Sequence, residues 1–319
     1  MAATARLAAR AYPLCRPNPG VAAILVKDGR VISRGFTQSG GRPHAEALAL
    51  GSIADQGKPN SAAGMTMYVT LEPCAHESER GPACSHLVAQ AKPDRVVVGQ
   101  LDPDPRTNGQ GIERLRKAGI EVVLLEDDAS RKSLCGFLTR ETLGRPYVTL
   151  KLATSLDGQI AMADGTSRWI TSDRARAHVH AQRARQDAIL VGGGTWRADK
   201  PRLDVRLPGL EERSPDRVLL SRGVAPDGVR VINEPAQINA LEGVQTLYLE
   251  GGAEAAASFL AQDLVDEIHL YRAPIVIGCG RSALGDIGLE ALGDAHGRWA
   301  LAETRQLGSD AFTSYVRTR

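Results

Sequence analysis

Aromatic residues are scarce. Phe, Trp and Tyr make up only 4% of the 319 residues, too few for a platform on which the bases of a single strand would stack. An excess of one charge is missing too. The chain has 39 Lys and Arg against 37 Asp and Glu, a net +2, which excludes bulk attraction to a polyanion as the basis of binding. No nucleic-acid partner is expected. No window approaches the ~20 consecutive apolar residues of a membrane span, so no membrane role is expected either. Cysteine is sparse and odd in number: Cys15, Cys74, Cys84, Cys135 and Cys279. A disulfide framework is therefore not expected, and a reducing, cytoplasmic setting fits.

What is present is ordinary for a soluble globular protein, with 43% hydrophobic and 24% charged residues. The length suggests two domains. The N-terminal "MAATARLAARAYPLC" has Arg6 and Arg10 and no acid before Asp28. It reads either as a transit segment or as an amphipathic helix with Leu7 on one side and the arginines on the other. We adopt the helix, because no Ser-rich spacer separates it from "PNPGVAAILV". Residues 21–37 predict a hairpin closed by Asp28-Gly29. Alternating helices and strands follow, which implies an α/β sheet with helices on its faces. A join near 141–147 divides the chain into residues 1–145 and 146–319. After it the alternation restarts and ends in two strands around Gly308-Ser309-Asp310.

Three metal-seeking side chains stand out in the first half. His44 lies in "PHAE", Cys74 in "TLEPC" at the end of a predicted strand, and Cys84 in "GPACSH" at the head of a predicted helix. One His and two Cys leave a fourth tetrahedral position for water, the pattern of a catalytic zinc site rather than a closed structural one. Zinc there would make hydroxide available at neutral pH. Glu46, two residues from His44, would move the proton. Singly, each residue has a plainer reading. A Glu at a helix start favours the dipole, a lone His is a surface or core residue, and buried Cys behaves as a small apolar group. Together they approach the H-x-E…P-C-x-x-C mark of zinc nucleobase deaminases, with C-x9-C in place of C-x-x-C.

"PNPGV" (17–21), "PHAE" (43–46), "TLEPCAH" (70–76), "PAC" (82–84) and "DPDPRTNGQG" (102–111) resemble the deaminase domain of the bifunctional riboflavin-biosynthesis deaminase–reductases. That family spaces its cysteines C-x8-C, one residue shorter. The chain departs from the pattern in having Asp104 for the commonest Asn, Thr37 where many members have His, and Ala22 for Gly. The resemblance implies a cytidine-deaminase-like three-layer α/β/α domain, with Asn18 and His76 at the substrate. His76 reads as readily as a solvated loop histidine.

The second half gives a thinner signal by itself. "LVGGGTWRADKP" (190–201) and "YLEGGAEAAASFL" (248–260) run from strand to glycines, where backbone N–H groups can approach a phosphate. Neither fits G-x-G-x-x-G, and both read as tight turns too. The helix after Ser172 carries Arg174, Arg176, His178, His180, Arg183 and Arg185, mostly a solvated basic face with one or two groups for a phosphate.

"LKLATSLDGQIA" (150–161), "SRWIT" (167–171), "RARQDAILVGGGTWRADKPRLDVR" (183–206) and "LEGG" (249–252) resemble the reductase domain of the same family, which is similar to dihydrofolate reductase and uses NADPH. The resemblance implies that Ala153, Trp169, Thr195, Asp199 and Ser221 line the NADPH site, with Gly251 and Gly252 at the phosphates. It places Ser167, Arg183, Leu203, Arg206 and Glu250 at the substrate, the arginines near its 5′-phosphate, and Lys151 and Asp199 beside the carbon that accepts hydride. Leu220 stands where the family has Asp before Ser221. Trp169 also reads as a core aromatic.

The expected function is therefore two reactions on one chain. Zinc hydroxide deaminates a diamino-ribosylamino-pyrimidinone 5′-phosphate, and NADPH then reduces the ribosyl group to ribityl. The family tends to form dimers or tetramers, which implies a homo-oligomer. Two rivals stand beside this reading: a single-function nucleoside or nucleic-acid deaminase with a non-reducing second domain, and a zinc-stabilised binding module.

Overall fold

Asp28 and Gly29 take φ of 49° and 71°, the pair of left-handed residues that a two-residue primed turn needs. β1 (Ala22–Lys27) and β2 (Arg30–Phe36) pair antiparallel across that turn. The computed structural model describes residues 1–54, 62–77, 79–223 and 226–319. Its contacts separate it into Met1–Gly144 and Arg145–Arg319.

The first unit adds α1 (Ala2–Ala8), α2 (Ala45–Ala54), β3 (Thr66–Leu71), α3 (Cys84–Ala91), β4 (Arg95–Gln100), α4 (Gln110–Lys117), β5 (Glu121–Leu124), α5 (Asp128–Ser133) and α6 (Cys135–Leu143). Its sheet runs β2-β1-β3-β4-β5, antiparallel at β1 and parallel from β3 to β5. The period of two divides β1 between faces. Ala23 and Leu25 join a core with Ala49 and Ile53 of α2 and Val88 of α3, whereas Ala22 and Ile24 are buried outside that cluster. The N-terminal segment is helical, but Thr4, Ala5 and Ala8 form its buried side. Leu7 is half-buried. Small residues at i, i+1 and i+4 let the helix approach the strands more closely than a leucine would.

The second unit contains β6 (Tyr147–Thr154), β7 (Gln159–Met162), α7 (Asp173–Arg183), β8 (Ala188–Gly192), α8 (Gly193–Asp199), β9 (Asp216–Leu220), β10 (Arg230–Ile232), β11 (Thr246–Leu249), α9 (Ala253–Ala261), β12 (Glu267–Arg272), β13 (Gly280–Ser282), β14 (Trp299–Leu307) and β15 (Asp310–Arg317). Eight strands form one sheet, β10-β9-β8-β11-β6-β12-β15-β14, and β13 pairs with β7. Neighbours are parallel from β10 to β12, and β15 and β14 close the sheet antiparallel. One face packs Leu150, Leu190, Leu249 and Phe259. The other packs Val179, Ile189, Tyr248, Tyr271 and Phe312. α7 belongs to that second core, and its polar residues are only partly a solvated face. Arg174 and Arg185 are exposed, while His180 is buried and His178 and Arg183 are partly buried.

Candidate active sites in the two units

His44 immediately precedes α2, Cys74 follows the end of β3, and Cys84 opens α3. The fold brings the three together: His44 Nδ1 lies 3.3 Å from Cys84 Sγ and 3.7 Å from Cys74 Sγ. All three ligand atoms fall within 4.8 Å of one another, the only such cluster among the described residues. A tetrahedral zinc with ordinary Zn–N and Zn–S bonds holds N and S ligands about 3.6 Å apart, so the donor set and its spacing both fit. Ser78, inside the Cys74–Cys84 loop, lies outside the described residues.

The site is electrostatically prepared. Cys74 Sγ accepts the Cys84 backbone N–H at 3.2 Å. The Cys84 thiol and then His44 hold Cys74 down as a thiolate, while donation to Cys74 and burial push Cys84 well up. The same sulfur raises His44. Glu46, in the first turn of α2, is only 3% exposed. Burial first, and the Cys74 charge second, push its carboxyl up to about 7, where an acid–base group can both take and give a proton.

The other nitrogen of His44, Nε2, lies 3.4 Å from the Asn18 amide, which fixes the ring. Gly41, with φ of +84°, makes room for that amide, because a Cβ there would sit 2.4 Å from Asn18 Oδ1. His76 Nδ1 is 3.4 Å from the Thr107 hydroxyl, which also accepts the Ala75 N–H. Asp104 accepts Arg106 Nε on both oxygens and Arg106 Nη2 at 2.6 Å, and that guanidinium holds its carboxyl down. Asp102 is pushed up to about 7, mainly by burial. Thr37 is 2% exposed, with its hydroxyl on the Val21 backbone. It ties the open end of the hairpin to Val21.

One residue of this unit was missed. Glu72 is buried and accepts N–H groups of Gly109 at 2.9 Å, Ile112 at 3.0 Å and Asp102 at 3.3 Å. It ties the Cys74 loop to the start of α4. Its signal in the sequence is an acid directly after an apolar strand.

In the second unit, the carboxyl ends of β8, β9 and β11 bring several expected residues together. A Cβ on Gly193 would lie 3.3 Å from Ser221 Oγ, and one on Gly252 would lie 3.2 Å from Thr195 Oγ1. The connection leaving β8 leads outward to β9, and that leaving β11 leads to β12 beyond β6. Open parallel sheets bind ligands in such a crevice. Gly193 begins α8 and Gly252 caps α9, so both glycine stretches lead into helices. Ala153 packs on the inner core near the end of β6. Trp169 is 66% exposed, with Arg176 4.4 Å over its ring, which overturns the core-aromatic reading. Asp199 is exposed at the end of α8, 3.9 Å from Arg168. Ser167 is half-buried.

Glu250 binds Arg183 through both oxygens, at 2.6 and 2.9 Å, and lies 3.8 Å from Lys151 Nζ. Burial alone would raise Glu250, but Arg183 and Lys151 hold it at about 2. Burial pulls Lys151 down. Arg183 also donates to Asp204 O at 2.9 Å. Leu203 is 2% exposed in the core with φ of +58°. That left-handed geometry is unfavourable for leucine by roughly 1–2 kcal/mol. From sequence the helix carrying His178 and His180 reads as mostly a solvated basic face, and both histidines have partners inside the unit. His178 Nδ1 meets Tyr271 Oη at 2.9 Å, and both His180 nitrogens meet Arg206.

Comparison with known proteins finds a family match in each unit. Residues 1–100 match the cytidine and deoxycytidylate deaminase zinc-binding region, and residues 146–313 match the RibD C-terminal domain. The chain is 36% identical to the riboflavin biosynthesis protein RibD of Aquifex aeolicus over 86% of each. It is 35% identical to that of Mycobacterium tuberculosis over 94% of this chain and 91% of the relative. Among solved structures, Acinetobacter baumannii RibD superposes with a TM-score of 0.86 at 33% identity, covering 100% and 97% of the two chains. The diaminohydroxyphosphoribosylaminopyrimidine deaminase/5-amino-6-(5-phosphoribosylamino)uracil reductase of Thermotoga maritima superposes at 0.85 with 30% identity, covering 99% and 97%.

Proposed function

The chain belongs to the RibD family of riboflavin-biosynthesis enzymes, and from that premise we propose how its residues divide two reactions. It is a bifunctional deaminase and reductase. A reductase match over residues 146–313 disfavours the single-function alternative. Its substrates are those of the Thermotoga maritima relative: a diamino-ribosylaminopyrimidinone 5′-phosphate, then the deaminated uracil.

His44, Cys74 and Cys84 hold zinc, and NADPH binds the crevice with Ala153, Trp169, Thr195, Asp199, Ser221, Gly251 and Gly252. When bound, zinc supplies an acidified water at neutral pH and NADPH supplies a hydride. Glu46 takes the proton of the attacking water on its carboxylate and delivers it to the exocyclic nitrogen, which leaves as ammonia. Asn18 and His76 position the pyrimidine. In the second unit Ser167, Arg183, Leu203, Arg206 and Glu250 hold the substrate, with the arginines near its 5′-phosphate. Lys151 and Asp199 lie beside the carbon that is reduced. Glu250 keeps Arg183 and Lys151 in place through its ion pairs. We place the enzyme in the cytoplasm as a homo-oligomer, on the sparse cysteine usage and the family's tendency.

The observation that carries this reading is the His44–Cys74–Cys84 cluster with the buried Glu46 carboxyl beside it. The test is one assay on the diaminopyrimidinone phosphate, with and without NADPH, following ammonia and NADPH separately. Ammonia should appear in both arms. NADPH should fall only after deamination, and NADPH loss with no ammonia would sink the order of steps.

A further inference from the structure

His180 is assigned no role by the family motifs, yet it is 9% exposed and faces Arg206 through both ring nitrogens. Its Nδ1 accepts the Arg206 backbone N–H at 3.2 Å. Its Nε2 lies 3.2 Å from Arg206 Nη2. The first contact fixes the tautomer: a neutral ring that accepts at Nδ1 carries its proton on Nε2. A guanidinium nitrogen has donors only. The second contact therefore sets two donors against each other, with no acceptor between them. Burial first, and then Arg183 and Arg206, keep the imidazole below its ordinary value, while Glu250 and Asp204 act in the opposite direction. The ring is thus held neutral, with a single N–H aimed at the arginine.

Arg183 cannot supply the missing acceptor, and much of its fork is already engaged. Its Nε and Nη2 bind Glu250, and its Nη1 binds Asp204 O. Arg206 is different. Its side chain is 49% exposed, and its Nη1 is 3.5 Å from Asp204 Oδ1. Arg202 Nη2 holds the other oxygen of that carboxylate, Oδ2, at 2.7 Å, and Oδ1 is buried with no hydrogen-bond partner among the described residues. Arg206 opens on a cleft of about 470 Å3 that it shares with Arg202, Asp204, Val205, Pro208, Glu211 and Ser214.

We propose that His180 is a phosphate-binding residue of the reductase site, its Nε2–H and the Arg206 guanidinium sharing one anionic oxygen of the substrate's 5′-phosphate. An anionic oxygen accepts from both donors and removes the conflict between them. The inference rests on the reading that Arg206 contacts that phosphate.

The test compares the phosphorylated ribosylaminouracil with its dephosphorylated form as substrates, and uses inorganic phosphate as a competitive inhibitor. His180→Leu should raise KM for the phosphorylated substrate about tenfold, the effect of losing one hydrogen bond to a charged group. The inhibition constant of phosphate should rise in parallel, with KM for the dephosphorylated substrate and for NADPH unmoved. His180→Gln, which keeps an N–H donor, should recover most of the loss. An equal rise for both substrates would show a merely structural residue and overturn the proposal, as would no rise at all. Arg206→Ala separates the two failures. If it discriminates between the substrates and His180→Leu does not, only the role of His180 falls. If neither discriminates, the phosphate reading of Arg206 falls with it.

Discussion

At the scale of single residues, Glu46 carries the sharpest expectation. Glu46→Gln keeps the volume and the ligands but removes the proton carrier. Ammonia release should drop by about 10²–10⁴-fold while zinc content, measured by atomic absorption, stays at the wild-type level. Near-normal release would leave Glu46 with no part in the chemistry. His178 gives a pH signature. Burial first, then Arg305 and His269, push its ring down to about 4, against an ordinary value near 6.5. The unfolded chain then binds a proton that the folded one refuses. Stability present above about pH 6.5 should be lost as pH falls toward 4, by about 1–2 kcal/mol once solvent screening of the half-open ring is allowed for. The urea midpoint of the second unit at pH 7 and pH 4.5 measures this, and His178→Gln should flatten the difference. The His44, Cys74 and Cys84 cluster was legible because metal-seeking chemistry is confined to a few residue types. Thr37 was not: whether a hydroxyl faces a ligand or the Val21 backbone depends on strand register, which composition does not carry.

At the scale of elements, legibility followed local signals. The Asp28-Gly29 hairpin and the helix over Cys84–Ala91 have strong turn and periodic patterns. α8 was hidden by the glycines at its head. β7 and β13 are four and three residues long and stabilise each other only as a pair. α7 misled because its apolar stripe is thin, Ala175 and Val179, and a histidine and an arginine complete the face. The entrance to β6 is fixed by an ion pair without a sequence signature. Asp266 accepts Arg145 at 2.7 and 2.9 Å and the Val148 N–H at 2.8 Å. Asp266→Ala should cost about 3–5 kcal/mol, since it strands a buried guanidinium. A urea midpoint within error of wild type would refute that account.

At the scale of the whole molecule, the chain separates its two chemistries into units with separate cores. A chelator such as dipicolinate should abolish ammonia release yet leave NADPH oxidation on already deaminated substrate within about twofold, as expected when the metal sits in one unit only. Loss of both activities together would mean that the reductase needs the metal too. The order of motifs made the two-unit plan legible. The side-chain pairing within each site was not, because Glu72 with α4 and Glu250 with Arg183 join residues 37 or more positions apart. The exposed Trp169 has a practical result as well. All three tryptophans, 169, 196 and 299, lie beyond Gly144. The deaminase half is therefore dark under selective excitation of indole, and emission from the intact enzyme is a private signal of its reductase half. Trp169, open to solvent, makes that signal a direct readout of NADPH binding at the site we propose.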